Sequence, residues 1–190
     1  MDELERLKRE RDLYLFIIEK YKDYIEKEEY RSIAALSSLI TPDIDEIEEF
    51  LIDIRSKYEP FVYNKDMLHI TADLLSKINS SILELRMPIE LWLYPRDVIM
   101  LKVGDKIDIA NLITSILITL GSSTAKTIVN NYNDQLIVGS YFSFNDKYYL
   151  IRDGVILIYN SLEELYKAVY ADKTDEAFEY NNTYYRYIKI

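Results

Sequence analysis

The stretch Asp105 to Leu120, DKIDIANLITSILITL, constrains this chain more than any other. Ile107, Ile109, Ala110, Leu112, Ile113, Ile116, Leu117, Ile118 and Leu120 leave almost no polar face, so the segment predicts a helix at the centre of a domain rather than on its surface. Gly121 follows at the position of a left-handed cap. After it the hydrophobic period changes from helical to strand-like.

Downstream, TAKTIVNNY, QLIVGSYFSF, YYLIRD and VILIYN are short β-type runs separated by two Asn-Asp pairs and one Asp-Gly pair, which are turn signals. They predict an antiparallel meander. NSLEELYKAVY predicts a short helix opened by Ser161 and Glu164 as a capping box, and TYYRYIKI predicts a last strand at an edge.

Upstream, residues 2 to 28 predict a long helix with Leu4, Leu7, Tyr14, Ile18, Tyr21 and Ile25 at alternating three and four spacing, interrupted by Arg11. Leu13, Phe16, Ile17 and Tyr24 widen that face. A wide face favours packing on the chain's own core over a coiled-coil seam. Between residues 31 and 58 two more helices are expected, divided at Thr41-Pro42. The second runs from Ile44 to Lys57 behind a capping box of Asp43 and Glu46. Beyond Pro60, a further helix buries Leu68, Ala72, Leu75, Ile78, Ile82 and Leu85, with His69 on or beside that stripe. The segment MPIELWLYPRDVIMLKVGDKID, residues 87–108, with Pro88 and Pro95 bracketing Trp92, reads as irregular. The order predicts an α+β protein, with a helical region over residues 1–60 and an α+β domain over 61–190 that can form one compact unit.

Charge and composition remove several functions. With 23 basic and 33 acidic residues, the net charge of −10 sets the average surface against phosphate backbones and anionic lipid. The chain has no cysteine and one histidine, which excludes thiol chemistry and histidine-based triads or metal clusters. DIDEIEEFLIDI lacks the glycine and ligand spacing of a calcium loop, and GSST lacks the spacing and lysine of a phosphate loop. The aromatic DKTDEAFEYNNTYYRYIKI has too few cations to bind single strands. No run is long enough to span a membrane, and the acidic start lacks the order of a signal peptide, so a cytoplasmic protein is expected.

Trp92, Pro95-Arg96-Asp97-Val98-Ile99, Gly104-Asp105, Asp108, Ala110, Leu112, Ser115, Leu117 and Leu120-Gly121, followed by NDKYYLI, resemble the transglutaminase-like superfamily in order and spacing. The resemblance covers about Trp92 to Asp153. It implies a papain-like fold, with a nucleophilic cysteine at the start of the buried helix, a histidine on the next strands and an acidic partner after the hairpin. Carried onto this chain, those positions hold Lys106, then Val138 or Gly139, then Arg152 or Asp153. Only Asp153 could keep its role.

An amine at Lys106 is protonated near neutral pH unless strongly desolvated. It also sits unfavourably at the positive end of a helix, although Asp105 and Asp108 can offset its charge. The expectation is a degenerate member: no catalysis, no cofactor, no metal, and a protein partner bound in a groove near Trp92, Asp105, Lys106, Asp108 and Tyr141. Two alternatives stay open. One is a hydrolase or transferase using non-cysteine chemistry through Lys106 and Asp153; the other is a homodimer or scaffold organised by residues 4–25.

Overall fold

A computed structural model describes residues 3–26, 33–85, 92–132, 135–170 and 176–188. The predicted central helix is α5, Lys106–Thr119, and ten of its fourteen residues are buried. Asp105 is its N-cap. At the other end the Ser122 N–H donates to the Leu117 carbonyl and the Gly121 N–H to that of Ile118. This closure needs a residue at positive φ, and Gly121 takes φ +97° at no steric cost.

α5 lies on one face of a six-stranded antiparallel sheet formed by β3 (Lys126–Tyr132), β4 (Gln135–Phe144), β5 (Lys147–Arg152), β6 (Val155–Tyr159), β7 (Glu176–Tyr180) and β8 (Tyr185–Tyr187). The order across the sheet is β6-β5-β4-β3-β7-β8. The first four strands are the predicted meander. Asn145-Asp146 and Asp153-Gly154 form its two-residue turns with positive φ throughout, while the remaining Asn-Asp pair, residues 133–134, lies outside the described residues. β7 was not anticipated. EAFEY alternates poorly, and it becomes a strand only because the chain returns to pair with β3. β8 is the predicted last strand, at an edge.

The opposite face of the sheet carries α6, Leu162–Tyr170. Its start uses Ser161 as expected, with the Glu164 N–H donating to the Ser161 hydroxyl. The Glu164 carboxylate accepts from the Asn160 N–H rather than from that of Ser161.

The remaining helices cover the first face. α1 (Glu3–Glu26), α2 (Asp45–Arg55), α3 (Tyr63–Ser81) and α4 (Pro95–Leu101) contribute to one apolar core with α5 and the sheet residues Phe142, Phe144, Tyr149 and Ile151. Residues on both sides of position 60 share that core. α1 enters it through Leu13 and Ile17, with Phe16 partly buried beside them.

The stripe read as the packing face of α1 is turned outward, since Leu4, Leu7, Tyr14 and Ile18 are exposed. The side chains of Tyr21, Tyr24 and Ile25 lie outside the described residues. The core accepts only a narrow strip of the helix, and the flanking residues supply it. α3 shows a similar rotation. Its buried positions are Met67, Ile70, Thr71, Leu74, Leu75 and Ile78 with Asp66, whereas Ala72 and His69 are exposed.

Three local expectations are corrected. The first of the two helices between 31 and 58 is a 3₁₀ helix, Ile33–Leu39, and the second ends at Arg55 before a 3₁₀ turn at Ser56–Tyr58. α2 is capped at Ile44, whose extended backbone displaces Asp43 by one position, and no side chain caps it. The acidic first turn, Asp45, Glu46 and Glu48, compensates the helix dipole instead. The segment read as irregular contains α4, with Pro95 in its first turn, and a short strand β2 (Val103–Gly104) paired in parallel with β1 (Leu83–Glu84).

Candidate functional site

The N-terminus of α5 faces the β4–β5–β6 end of the sheet across a cavity of about 670 Å³. Its walls are apolar, with Leu75 and Ile78 from α3, Ile109 and Ile113 from α5, and Val138 and Ile151 from the sheet. Its rim is charged and polar, formed by Arg9, Asn79, Glu84, Lys106, Arg152 and Asp153. Three positions far apart in sequence therefore meet here: Lys106, Gly139 and Asp153.

Lys106 and Asp153 are in direct contact, with Nζ donating to Oδ1 at 2.9 Å. The Asp153 carboxylate raises the Lys106 pKa above its ordinary value, chiefly through this hydrogen bond, against the opposing effect of partial burial. The amine is thus held as an ammonium and is not a nucleophile at neutral pH. Arg152 Nε lies 3.5 Å from the other oxygen of Asp153. The sequence placed Asp105 and Asp108 as the counter-charges of Lys106; its ion-pair partner is Asp153.

Gly139 lines the same cavity from β4. A Cβ there would lie 2.8 Å from the Ile151 carbonyl oxygen and 2.9 Å from Leu150 Cδ1. Any side chain there would displace β5, and it would be directed at Leu150 on the α6 side of the sheet rather than into the cavity. The alternative position, Val138, is buried against Ile107 and Ala110.

Four expected groove residues lie elsewhere, and each is a correction. Asp105 and Asp108 form the N-terminal capping box of α5. Asp105 Oδ1 accepts from the Asp108 N–H at 2.8 Å, and Asp108 Oδ2 accepts from the Asp105 N–H at 3.0 Å. Asp108 Oδ1 also accepts from the Leu93 N–H at 2.7 Å, tying the segment before α4 to α5. Burial raises the pKa of both carboxyls, and at Asp108 the neighbouring Asp105 charge adds to it. Trp92 is partly buried against Leu36, Leu39 and their neighbours.

Tyr141 points to the α6 face of the sheet, where its hydroxyl donates to Glu179 Oε2 at 2.6 Å. β4 alternates, so Val138, Ser140 and Phe142 face α5 while Tyr141 shares the opposite side with position 139. Around Glu179 the structure gathers a cluster the sequence did not reveal. Tyr166 donates to it at 2.7 Å, Tyr184 at 3.2 Å and Lys126 at 3.0 Å, and the Lys126 ammonium lies 4.0 Å from the Tyr184 ring centroid. Burial pushes the Glu179 carboxyl up, and the donors from Tyr141, Tyr166 and Lys126 together outweigh it, leaving the group below its ordinary value. The surplus of 18 tyrosines was the only signal of this cluster in the sequence.

A second polar layer lies between α5 and the sheet. Asn111 Oδ1 accepts from the Tyr180 hydroxyl at 2.8 Å and from that of Thr127 at 3.3 Å. Thr114 meets Thr127 and Ser140 at 2.9 and 3.0 Å. Among the described residues no group of three or more His, Cys, Asp or Glu side chains is placed to hold a metal ion. None of the described helices is long and apolar enough to cross a membrane.

A buried helix start facing an antiparallel sheet gives an α+β architecture in which Lys106, Gly139 and Asp153 border one cavity. Two solved structures of Legionella pneumophila LapG share the fold. The EGTA-treated form aligns with TM-score 0.53 at 14% identity, covering 84% of this chain and 87% of LapG; the calcium-bound form aligns with TM-score 0.51 at 12% identity, covering 84% and 90%. At such identity the likeness shows the fold. No family model and no curated protein sequence matches the chain.

Proposed function

We propose that this protein is a catalytically inactive transglutaminase-like domain, acting in the cytoplasm as a protein-binding or assembly module through the cavity at the start of α5. The observation that carries this reading is the Lys106–Asp153 ion pair beside Gly139. The nucleophile position holds a protonated amine, the acid is engaged by that amine, and neither candidate base position carries a base, one being Val138 and the other Gly139. Acyl transfer on a thiol needs all three functions. The apolar walls and charged rim of the cavity suit a peptide segment that buries aliphatic side chains and pairs its charges at the mouth.

The reading is tested in two measurements. Purified chain incubated with amide and ester reporter substrates should give no turnover above background, and turnover lost on Lys106→Ala would establish the competing enzyme that uses Lys106 and Asp153. A partner captured by the native chain from its own cells should be lost on Asp153→Lys; retention of the partner moves the binding surface away from this cavity.

The exposure of Leu4, Leu7, Tyr14 and Ile18 favours a second reading, self-association through residues 4–25. Deleting residues 1–28 would also remove Leu13 and Ile17 from the core, so Ile18→Lys with mass measured by light scattering is the cleaner test. An unchanged mass removes α1 as the contact.

A further inference from the structure

The two ends of the sheet are built differently. β8 is three residues long and carries Arg186, the short charged kind of edge that deters another strand. β6, at the other end, is the five-residue run VILIY, with no charge, proline or glycine. Val155 and Ile158 on it are 52% and 59% exposed.

The turns determine which backbone groups of β6 face outward. Two-residue loops with positive φ close on a hydrogen-bonded pair, and such pairs then alternate along the ladder. Counting from Phe144–Lys147, the residues Lys147, Tyr149 and Ile151 bond to β4. Counting from Arg152–Val155, the residues Arg152, Leu150 and Tyr148 bond to β6, through Val155, Leu157 and Tyr159. The two counts interleave on β5 without conflict. Ile156 and Ile158 therefore turn their N–H and C=O groups to the open edge, and no backbone group of another described element bonds them.

Beside that edge runs an open groove of about 610 Å³ between β6 and α3. Ala72, Ser76 and Ser80 line it one helical turn apart, with Asn79, Gly154 and Ile156. The wall is low and carries no charge, in a chain where 29% of residues are charged.

We propose that β6 is a self-association edge. Two copies of this chain pair β6 to β6, antiparallel about a two-fold axis through Leu157, and join their sheets into one. A neighbouring strand must offer two outward-facing residues separated by one, and Ile156-Leu157-Ile158 reads the same in both directions. Ile156 thus bonds Ile158 of the second copy, Ile158 bonds Ile156, and Leu157 meets its own equivalent in a non-hydrogen-bonded pair. This is the self-complementarity that a two-fold contact requires. Ile156 packs toward the main core, so the isoleucines of the second copy fall on the α3 side, over Ala72, Ser76 and Ser80. With a net charge of −10 on each copy, association needs an uncharged patch, and this one is.

The test uses the full chain. Light scattering should give twice the 22.6 kDa chain mass. Ile158→Lys, at an exposed position, should keep the native circular dichroism while the mass falls to one chain. Because the chain lacks cysteine, Leu157→Cys introduces one thiol at the axis. The roughly 4.5 Å Cα separation of a non-hydrogen-bonded pair lies within disulfide range, so oxidation should give a covalent dimer. Val155→Cys, opposite Tyr159 of the second copy in this register, should not. Three results overturn the proposal: a wild-type mass of one chain without the covalent dimer; a dimer dissolved by Ile18→Lys but not by Ile158→Lys; or a single chain that binds an uncharged extended peptide until Ile158 is changed, which assigns the edge to another protein's strand.

Discussion

Lys106, Gly139 and Asp153 separate stability from function at single positions. The Lys106–Asp153 pair is partly exposed, so Lys106→Met should change the free energy of unfolding by less than about 1 kcal/mol while removing the charge that a groove ligand would meet. A urea titration together with the partner-capture measurement checks both halves. Gly139→His should cost about 1–3 kcal/mol, because its Cβ forces the Ile151 backbone aside. The double variant Lys106→Cys with Gly139→His should therefore unfold at lower urea and show no acyl-transfer activity.

The buried carboxyls predict a pH dependence at the same scale. Glu179 is depressed in the folded state, so its contribution is present above the unfolded value near ~4.3 and is lost as pH falls through the folded one. Asp105 and Asp108 are raised. Their contribution is full below the unfolded value near ~3.9 and is lost as pH rises through their folded values. Urea midpoints measured across pH should therefore be highest on the acidic side of neutral. Glu179→Gln should flatten the acid limb, and Asp108→Asn should flatten the limb toward neutral pH. Of these groups only Lys106, Asp153 and the Asp105–Asp108 spacing stood out in the sequence. Glu179 looks like any strand-face acid until four elements bring Lys126 and three tyrosines to it.

At the scale of elements, two helices test the rotation that periodicity misjudged. Leu13 of α1 is buried and Leu7 is exposed, so Leu13→Ala should cost about 2–4 kcal/mol and Leu7→Ala less than about 0.5 kcal/mol. The reverse order would restore the packing face read from the sequence. For α5, Asp105→Ala should cost about 1 kcal/mol as a lost N-cap, measured as a shift in thermal midpoint. Sequence resolves elements with strong local signals: α5 from its apolar run, the Gly121 closure, and the Asp153-Gly154 turn. It missed β7 and part of the buried side of α3, where Leu75, Ile78 and Ile82 are buried as expected but Met67, Ile70 and Leu74 take the place of Ala72, because the partner surface rather than the local pattern sets the outcome. Period alone cannot tell which of two adjacent apolar strips a core will accept.

At the scale of the molecule, one hairpin serves both surfaces. The Asp153-Gly154 turn delivers Asp153 to the cavity at α5, and Gly154 begins the groove beside β6, where the Asn79 amide holds its carbonyl at 3.1 Å. Asn79→Ala should loosen that turn and affect both surfaces together, seen as faster amide exchange across 152–156 with the rest of the sheet unchanged.

The sequence alone determined the class of the fold and the absence of thiol chemistry. A continuous apolar helix has to be buried, the short β runs with turn pairs after it have to form an antiparallel sheet, and a chain without cysteine has no thiolate to offer. Tertiary structure decided what meets at the start of α5 and what surrounds it. Whether Lys106 reaches Asp153, whether Gly139 has space beside it, and which edge of the sheet stays open depend on distances between residues dozens of positions apart, which no local pattern encodes.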